Sequence, residues 1–451
     1  MRRVSTIDRL AFATCVLVYA IVLVTVPPDL AGDTSDYLSI ASGLCGATSL
    51  PPFNIMRGFG YPAFECIAGL KLSNLYLIFF AQTAIFLGAL FLVYREFKGA
   101  AKPLALLIGA AAIPHYAYLQ KLLYPDGLIT SLVLLYVLFL QRRQILAASF
   151  VAALLIAVKL VFVFLLAHVA YVLLFDRNVV QTYPRYVIAA SASLGIVFFA
   201  AFPFALPNLA YITTFVRMGD SPEKVVPSQR LTFSCGGELH EVSSLNFEPT
   251  KTIWQFAPYG PLTESEAKRF GGTQKEISVL SQSLLLKSYA YAPATHAENA
   301  LKFFTAALIG LPLFEHSYSM LAATLYRMTG DLTFGIDWLR GRSIVTIFFH
   351  YFVENVIRVT ALLLIVRAIC KKSVSVFYDR SCFILGTFLV AYSVVLVASA
   401  AVLSDRYVFL NLLIFCLAAA RANQIAKLGP PHREHNGKPV GTLTGCRVAE
   451  Q

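Results

Sequence analysis

A chain of 451 residues that is 57% hydrophobic and 14% charged, with a mean hydropathy of +0.67, has too little charge to clothe a soluble globule of its size. The formal charge of +12 would suit nucleic acid if Lys and Arg formed a patch; they fall mainly at the ends of apolar runs, so a nucleic-acid partner is excluded. Apolar runs of about 17 to 25 residues have to be helices if they cross a bilayer, because lipid offers the backbone no hydrogen-bonding partner.

In chain order such runs fall at 10–26, 74–93, 103–119, 127–140, 145–158, 160–175, 186–206, 344–366, 381–402 and 407–420. The first follows Arg2, Arg3 and Arg9 and carries no small-residue cleavage signature, so it reads as a spanning helix with its N-terminus inside. As one helix, 145–175 would reach about 46 Å, too long for a hydrocarbon core of roughly 30 Å, so a break is placed at Lys159. The expected fold is an all-α polytopic membrane protein of about ten transmembrane helices, with both termini cytoplasmic.

The basic residues agree with that parse. One side receives Arg95, Lys98 and Lys102, then Arg142 and Arg143, Arg177 and Arg185, Arg367, Lys371, Lys372 and Arg380, and the tail. Short turns on the other side hold little more than Lys121, Lys159 and Arg406, as the positive-inside rule requires. The setting this suggests is a bacterial inner membrane.

The chain divides into an N-terminal transmembrane region over 1–206, with an outer loop at 27–73; a small external module over 207–342; C-terminal transmembrane helices over 343–422; and a charged, Gly- and Pro-bearing tail over 423–451 with little to bury. Within the module, 297–313 is apolar on much of its surface but carries Lys302 and ends at Pro312, so an interfacial helix is expected there. The eight cysteines form no metal-binding pattern. Cys45 and Cys66 share an outer loop and could pair, although the commoner outcome for scattered cysteines is a small buried apolar side chain.

Several charged residues fall on the outer side. Asp33 and Asp36 follow the first helix; a carboxylate near a low-dielectric boundary can act as a general base, while Asp33 could equally cap a helix starting near Thr34. Arg57 sits in a Gly- and aromatic-rich turn and offers a planar fork for phosphate, or ordinary headgroup contact. Asp126 lies in Tyr124-Pro125-Asp126-Gly127, which is also a plain turn sequence. Lys159 could pair with phosphate or an acid, or snorkel to the interface, and Ser404-Asp405-Arg406-Tyr407 brings a further cation. Glu354 and Arg358, one turn apart, suit an internal ion pair, and His115, His168 and His350 read as packed rather than catalytic.

Asp33, Arg57, Asp126, Lys159 and Arg406 come from separate turns yet meet on one side, which suits acids that activate an acceptor and cations that hold a phosphate. The pattern Asp33-x-x-x-Tyr37-x-x-Ile40-Ala41, Arg57-x-x-x-Tyr61-Pro62, Asp126, Lys159 and Arg406-Tyr407 resembles the multi-spanning GT-C glycosyltransferases, which include the protein O-mannosyltransferases and the bacterial lipid A aminoarabinose transferases. That resemblance implies a GT-C-like fold and sugar transfer from a polyprenyl-phosphate donor to a lipid, glycan or protein acceptor. In it Asp33 is the base, with Asp36 the second claimant and Asp126 a further acid; Arg57, Lys159 and Arg406 hold the donor phosphate, and Tyr37, Tyr61 and Tyr407 line the substrate. Thr34 stands where many relatives carry a second acid, so a divalent cation, Mg or Mn, has no assigned ligands. A transporter or flippase for a lipid-linked saccharide is the alternative, with Lys159, Glu354 and Arg358 marking its path.

Overall fold

The computed structural model describes residues 6–25, 34–48, 59–72, 74–97, 107–113, 116–117, 119–121, 123–175, 232–235, 238–241, 293–310, 343–399 and 405–427. Apart from one hairpin the regular structure among these described residues is helical. The helices are α1 (Thr6–Thr25), α2 (Thr34–Leu44), α3 (Gly60–Ala68), α4 (Leu75–Phe97), α5 (Pro125–Gln141), α6 (Ile145–Val158), α7 (Leu165–Phe175), α8 (Pro293–Leu308), α9 (Ser343–Tyr378), α10 (Arg380–Ser399) and α11 (Asp405–Lys427). Strands β1 (Thr232–Cys235) and β2 (Glu238–Glu241) pair antiparallel with Cys235 opposite Glu238; the sequence between them is Gly-Gly, which a two-residue hairpin turn favours.

The break expected at Lys159 is present. α6 ends at Val158, Lys159 is extended at φ −152° and ψ 115°, and a 3-10 turn over Leu160–Phe164 leads into α7. The run at 103–119 does not form one helix: 107–111 are helical, Ala112 turns, and 119–121 form a 3-10 turn. Pro114 supplies the reason, since proline lacks an N–H and disfavours helix at the residue before it. α9, by contrast, runs for 36 residues and carries Arg367, Lys371 and Lys372 on a continuous helix where a loop was expected. α11 likewise continues past residue 423 to Lys427, because Ala422 and Ile425 pack against Ala368 and Val376 of α9. The run expected at 186–206 lies outside the described residues.

α4, over Leu75–Glu96, and α11, over Val408–Lys427, have the length and composition to cross a membrane, and five further apolar helices are shorter. α11 is the hub. Val408, Leu412, Leu413, Ile414, Cys416, Leu417 and Ala420 are fully buried among α9, α10 and α5, so it is apolar all round. Phe409 stacks on Tyr116 at 4.0 Å between ring centroids, and Phe162 stacks on Tyr392 at 5.6 Å. Outward faces are apolar too: Leu10, Leu17 and Val24 on α1, Phe150 on α6, and Val359, Leu363 and Val366 on α9 are exposed.

The basic helix ends gather at one end of the bundle. Arg142 after α5 pairs with Glu96 of α4 at 2.8 Å, Arg380 donates to the Gln141 carbonyl at 2.7 Å, and Arg421 of α11 pairs with Asp379 at 2.6 Å. α4, α5 and α11 thus end, and α10 begins, at this one end of the bundle.

α8 differs from the interfacial helix expected near 297–313. Its C-terminal end is embedded, with Ala307 fully buried and its carbonyl accepting a 2.6 Å bond from the Asn411 amide of α11. Gly310, at φ +70°, ends the helix, and its Cβ-less backbone lies against Leu412. The Arg358 guanidinium donates twice to the Gly310 carbonyl, at 3.0 and 2.7 Å, while also pairing with Glu354 and bonding Asn355. The expected Glu354–Arg358 pair therefore exists, and it clamps a helix end. His168 is packed as expected: the Tyr136 hydroxyl lies 2.8 Å from Nδ1, and Nε2 lies 3.0 Å from the Thr387 hydroxyl.

Candidate functional site

Opposite the basic end, α2 and α3, which lie between α1 and α4 in the chain, sit on the ends of α4, α5 and α6. Pro125 at the first position of α5 has no N–H to lose there and starts the helix cleanly, which leaves Asp126 in its first turn, where the helix dipole favours a carboxylate. Lys159, freed from helical geometry between α6 and the 3-10 turn, reaches across so that Nζ lies 3.4 Å from Asp126 Oδ1. Asp126 is nearly buried and Lys159 about one-third exposed, so the pair lies at the edge of the bundle.

α3 docks directly above. Gly60 lets its backbone approach the last turn of α6 so closely that a Cβ there would meet Ala157 C at 2.7 Å and Val158 N at 2.8 Å. The next residue, Tyr61, is fully buried and donates from its hydroxyl to Gln82 Oε1 of α4 at 2.6 Å. Tyr37 of α2 meets Tyr61 edge-on at 5.3 Å between centroids. The pKa of the Tyr61 hydroxyl is pushed well above its ordinary value, first by burial and then by Glu65, Tyr37 and Asp126 nearby, so it stays a neutral donor. A disulfide between Cys45, after α2, and Cys66 of α3 joins the two loop helices; the commoner outcome expected for these cysteines does not occur.

The structure thus brings Tyr37, Tyr61, Asp126 and Lys159 together. Asp36 is half-buried in the first turn of α2, beside Tyr37. Arg406 and Tyr407 lie in the first turn of α11, and of their side chains nothing is described; Asp33 and Arg57 lie outside the described residues. No group of three or more His, Cys, Asp or Glu side chains that could hold a metal occurs among the described residues, and Asp126 already faces an ammonium.

Three buried polar residues were not singled out from the sequence. Glu65 is fully buried on α3, one turn beyond Tyr61, and neither carboxyl oxygen has a hydrogen-bond partner; burial pushes its pKa up to about 8. Gln82 accepts from Tyr61 and donates to the Gln120 carbonyl at 3.4 Å. The Gln120 side chain lies flat against Gly127, next to Asp126, and both its polar atoms lack partners. The available signal was an acid at i+4 from Tyr61 within the apolar run Ala63-Phe64-Glu65-Cys66-Ile67. Lys121 is also buried, donating to the Leu23 carbonyl at 2.8 Å between the rings of Tyr76 and Phe79, so it ties down the end of α1.

No family model and no curated protein matches the chain. Among solved structures it is similar to the apo-state crystal structure of ArnT from Cupriavidus metallidurans, at 11% identity and a TM-score of 0.34, the match covering 92% of this chain and 77% of that one.

Proposed function

We propose that this chain is a multi-pass membrane glycosyltransferase that moves a sugar from a polyprenyl-phosphate donor to an acceptor at the membrane face opposite its basic helix ends. The observation that carries this reading is the convergence of α2 and α3 on Asp126 and Lys159, which sets an acid, a cation and two buried tyrosines at one rim of an apolar bundle. The exposed apolar faces of α1, α6 and α9 suit contact with lipid, and the Cys45–Cys66 disulfide suits a loop in an oxidising compartment. The sequence motifs supply the rest.

In the proposed reaction Asp33 removes the proton from the acceptor, which attacks the anomeric carbon and inverts it; the bond to the phosphate oxygen breaks as Arg57, Lys159 and Arg406 stabilise the phosphate that leaves. The donor's tail lies along the apolar bundle, which accounts for a membrane-embedded catalyst. Lys159 would exchange Asp126 for phosphate as the donor binds, with Asp126 keeping it in place beforehand. The transporter alternative loses a support, because Arg358 and Glu354 are engaged in capping α8.

The test is transfer of labelled sugar from polyprenyl-phosphate donors in membranes holding wild type, Asp33→Asn or Lys159→Met at equal abundance. Loss of transfer in Asp33→Asn and a fall of about 100-fold in Lys159→Met are expected. Full activity in Asp33→Asn removes it as base, and no transfer by wild type from any donor refutes the enzyme reading.

A further inference from the structure

The most conspicuous polar groups that the proposed reaction leaves unused are Glu65 and Gln120. Both side chains are buried, and all four of their terminal oxygen and nitrogen atoms lack a hydrogen-bond partner. Buried polar groups are almost always satisfied, so a pair of unsatisfied side chains in one region calls for a ligand that completes them. They flank one network: Glu65 lies a turn from Tyr61, Tyr61 bonds Gln82, Gln82 bonds the Gln120 backbone, and the Gln120 amide rests on Gly127 beside Asp126 and Lys159.

We propose that Glu65 and the Gln120 amide form a neutral hydrogen-bonding seat for the uncharged, hydroxyl-rich part of the donor, set beside the Asp126–Lys159 pair that faces its phosphate. This deepens the proposed function and rests on it, in that the ligand is taken to be a lipid-linked sugar. The chemistry favours a polyol. A protonated carboxyl offers one donor and an acceptor, and a carboxamide offers two donors and an acceptor, a mixed set that matches ring hydroxyls and not an anion. With its proton held at neutral pH by burial, Glu65 does not repel the phosphate bound nearby. Glu65 and Gln120 are positioning and specificity residues, distinct from the groups that act on the reacting bond.

The test measures binding by the purified full chain in detergent, using polyprenyl phosphate and its mannosyl, glucosyl and 4-aminoarabinosyl forms of the same chain length. Wild type is expected to bind at least one glycosylated lipid about tenfold more tightly than the sugar-free phosphate. Glu65→Leu and Gln120→Leu should each bring that ratio to within about twofold of unity while leaving affinity for the sugar-free lipid unchanged, and Glu65→Gln, which keeps a neutral donor and acceptor, should retain it. Both leucine variants should melt no lower than wild type, because each replaces unsatisfied polar atoms by apolar ones. A purely structural role predicts the reverse, lower melting with the ratio kept, and that result overturns the proposal. So does a wild-type ratio near unity for all three sugars. If wild type prefers a glycosylated lipid through Glu65 but never transfers its sugar, the seat stands and the transferase reading falls.

Discussion

Replacing Gly60 by Ala adds a single methyl group at the point where α3 meets α6. That methyl would stand 2.7, 2.8 and 2.9 Å from the Ala157 carbonyl carbon, the Val158 nitrogen and the Ala157 oxygen, all of them backbone atoms of a helix end that cannot rotate aside. Ordinary contact begins near 3.4 Å, so α3 must retreat by roughly 0.7 Å, an overpacking that costs about 1 to 3 kcal/mol. α3 carries Tyr61 and Glu65, and the disulfide passes the shift to α2, so Tyr37, Tyr61 and Glu65 move together. Misplacement on this scale costs up to about 100-fold in rate. Gly88→Ala on α4 is the matched control, since its added methyl meets nothing within 4 Å and a helix interior gains about 1 kcal/mol from the change. Sugar transfer in membranes and thermal unfolding in detergent should then separate the two: Gly60→Ala loses most activity with a modest fall in melting temperature, and Gly88→Ala keeps both. Wild-type activity in Gly60→Ala at normal abundance would refute the docking of α3 on α6 as a determinant of the site.

Three further expectations follow from other contacts. Cys45→Ser opens a disulfide with a sequence separation of 21 and should destabilise by about 3 kcal/mol, most of it localised to α2 and α3, as hydrogen exchange of those helices will report; unchanged protection there would contradict it. Arg358→Met leaves Glu354 buried without its cation and should cost about 3 to 5 kcal/mol, with the Arg358→Met, Glu354→Gln double variant recovering part of it; a single variant as stable as wild type would sink the clamp. For Glu65 the sign follows from a folded pKa of about 8 against an ordinary 4.5: the folded chain holds a proton that the unfolded chain releases, so stability falls as pH rises through that window, by at most roughly 5 kcal/mol, and levels off above it. Subtracting the unfolding profile of Glu65→Gln isolates that slope, and identical profiles would refute it.

Hydropathy and charge made much of the helical architecture legible. The break at Lys159 followed from bilayer thickness alone, and Arg142, Arg380 and Arg421, expected on one side, do gather at one end of the bundle, although their partners Glu96, Gln141 and Asp379 were not foreseen. Two elements are hidden for separate reasons: apolar neighbours mask Pro114 within the run 103–119, and Arg367, Lys371 and Lys372 look like a loop although α9 carries them on one continuous helix. At the site, Asp126 and Lys159 were legible as exposed-turn charges, whereas their 3.4 Å pairing depends on how two turns 33 residues apart meet. Glu65, with only its i+4 spacing from Tyr61 to mark it, and Gln120 were hard to read for a different reason. Inside apolar or turn sequences a single polar residue carries no periodic signature, and its meaning comes from being buried without a partner.

The closure of α8 also bears on the order in which the chain can assemble. The carbonyls of Ala307 and Gly310 find their donors in Asn411 and Arg358, which lie 104 and 48 residues downstream. During synthesis that helix end therefore has to wait for α9 and α11 before its last turn is satisfied, and a nascent chain arrested before α9 would hold α8 with open carbonyls and no fixed seat. The C-terminal helices thus act as the keystone that fixes the end of α8.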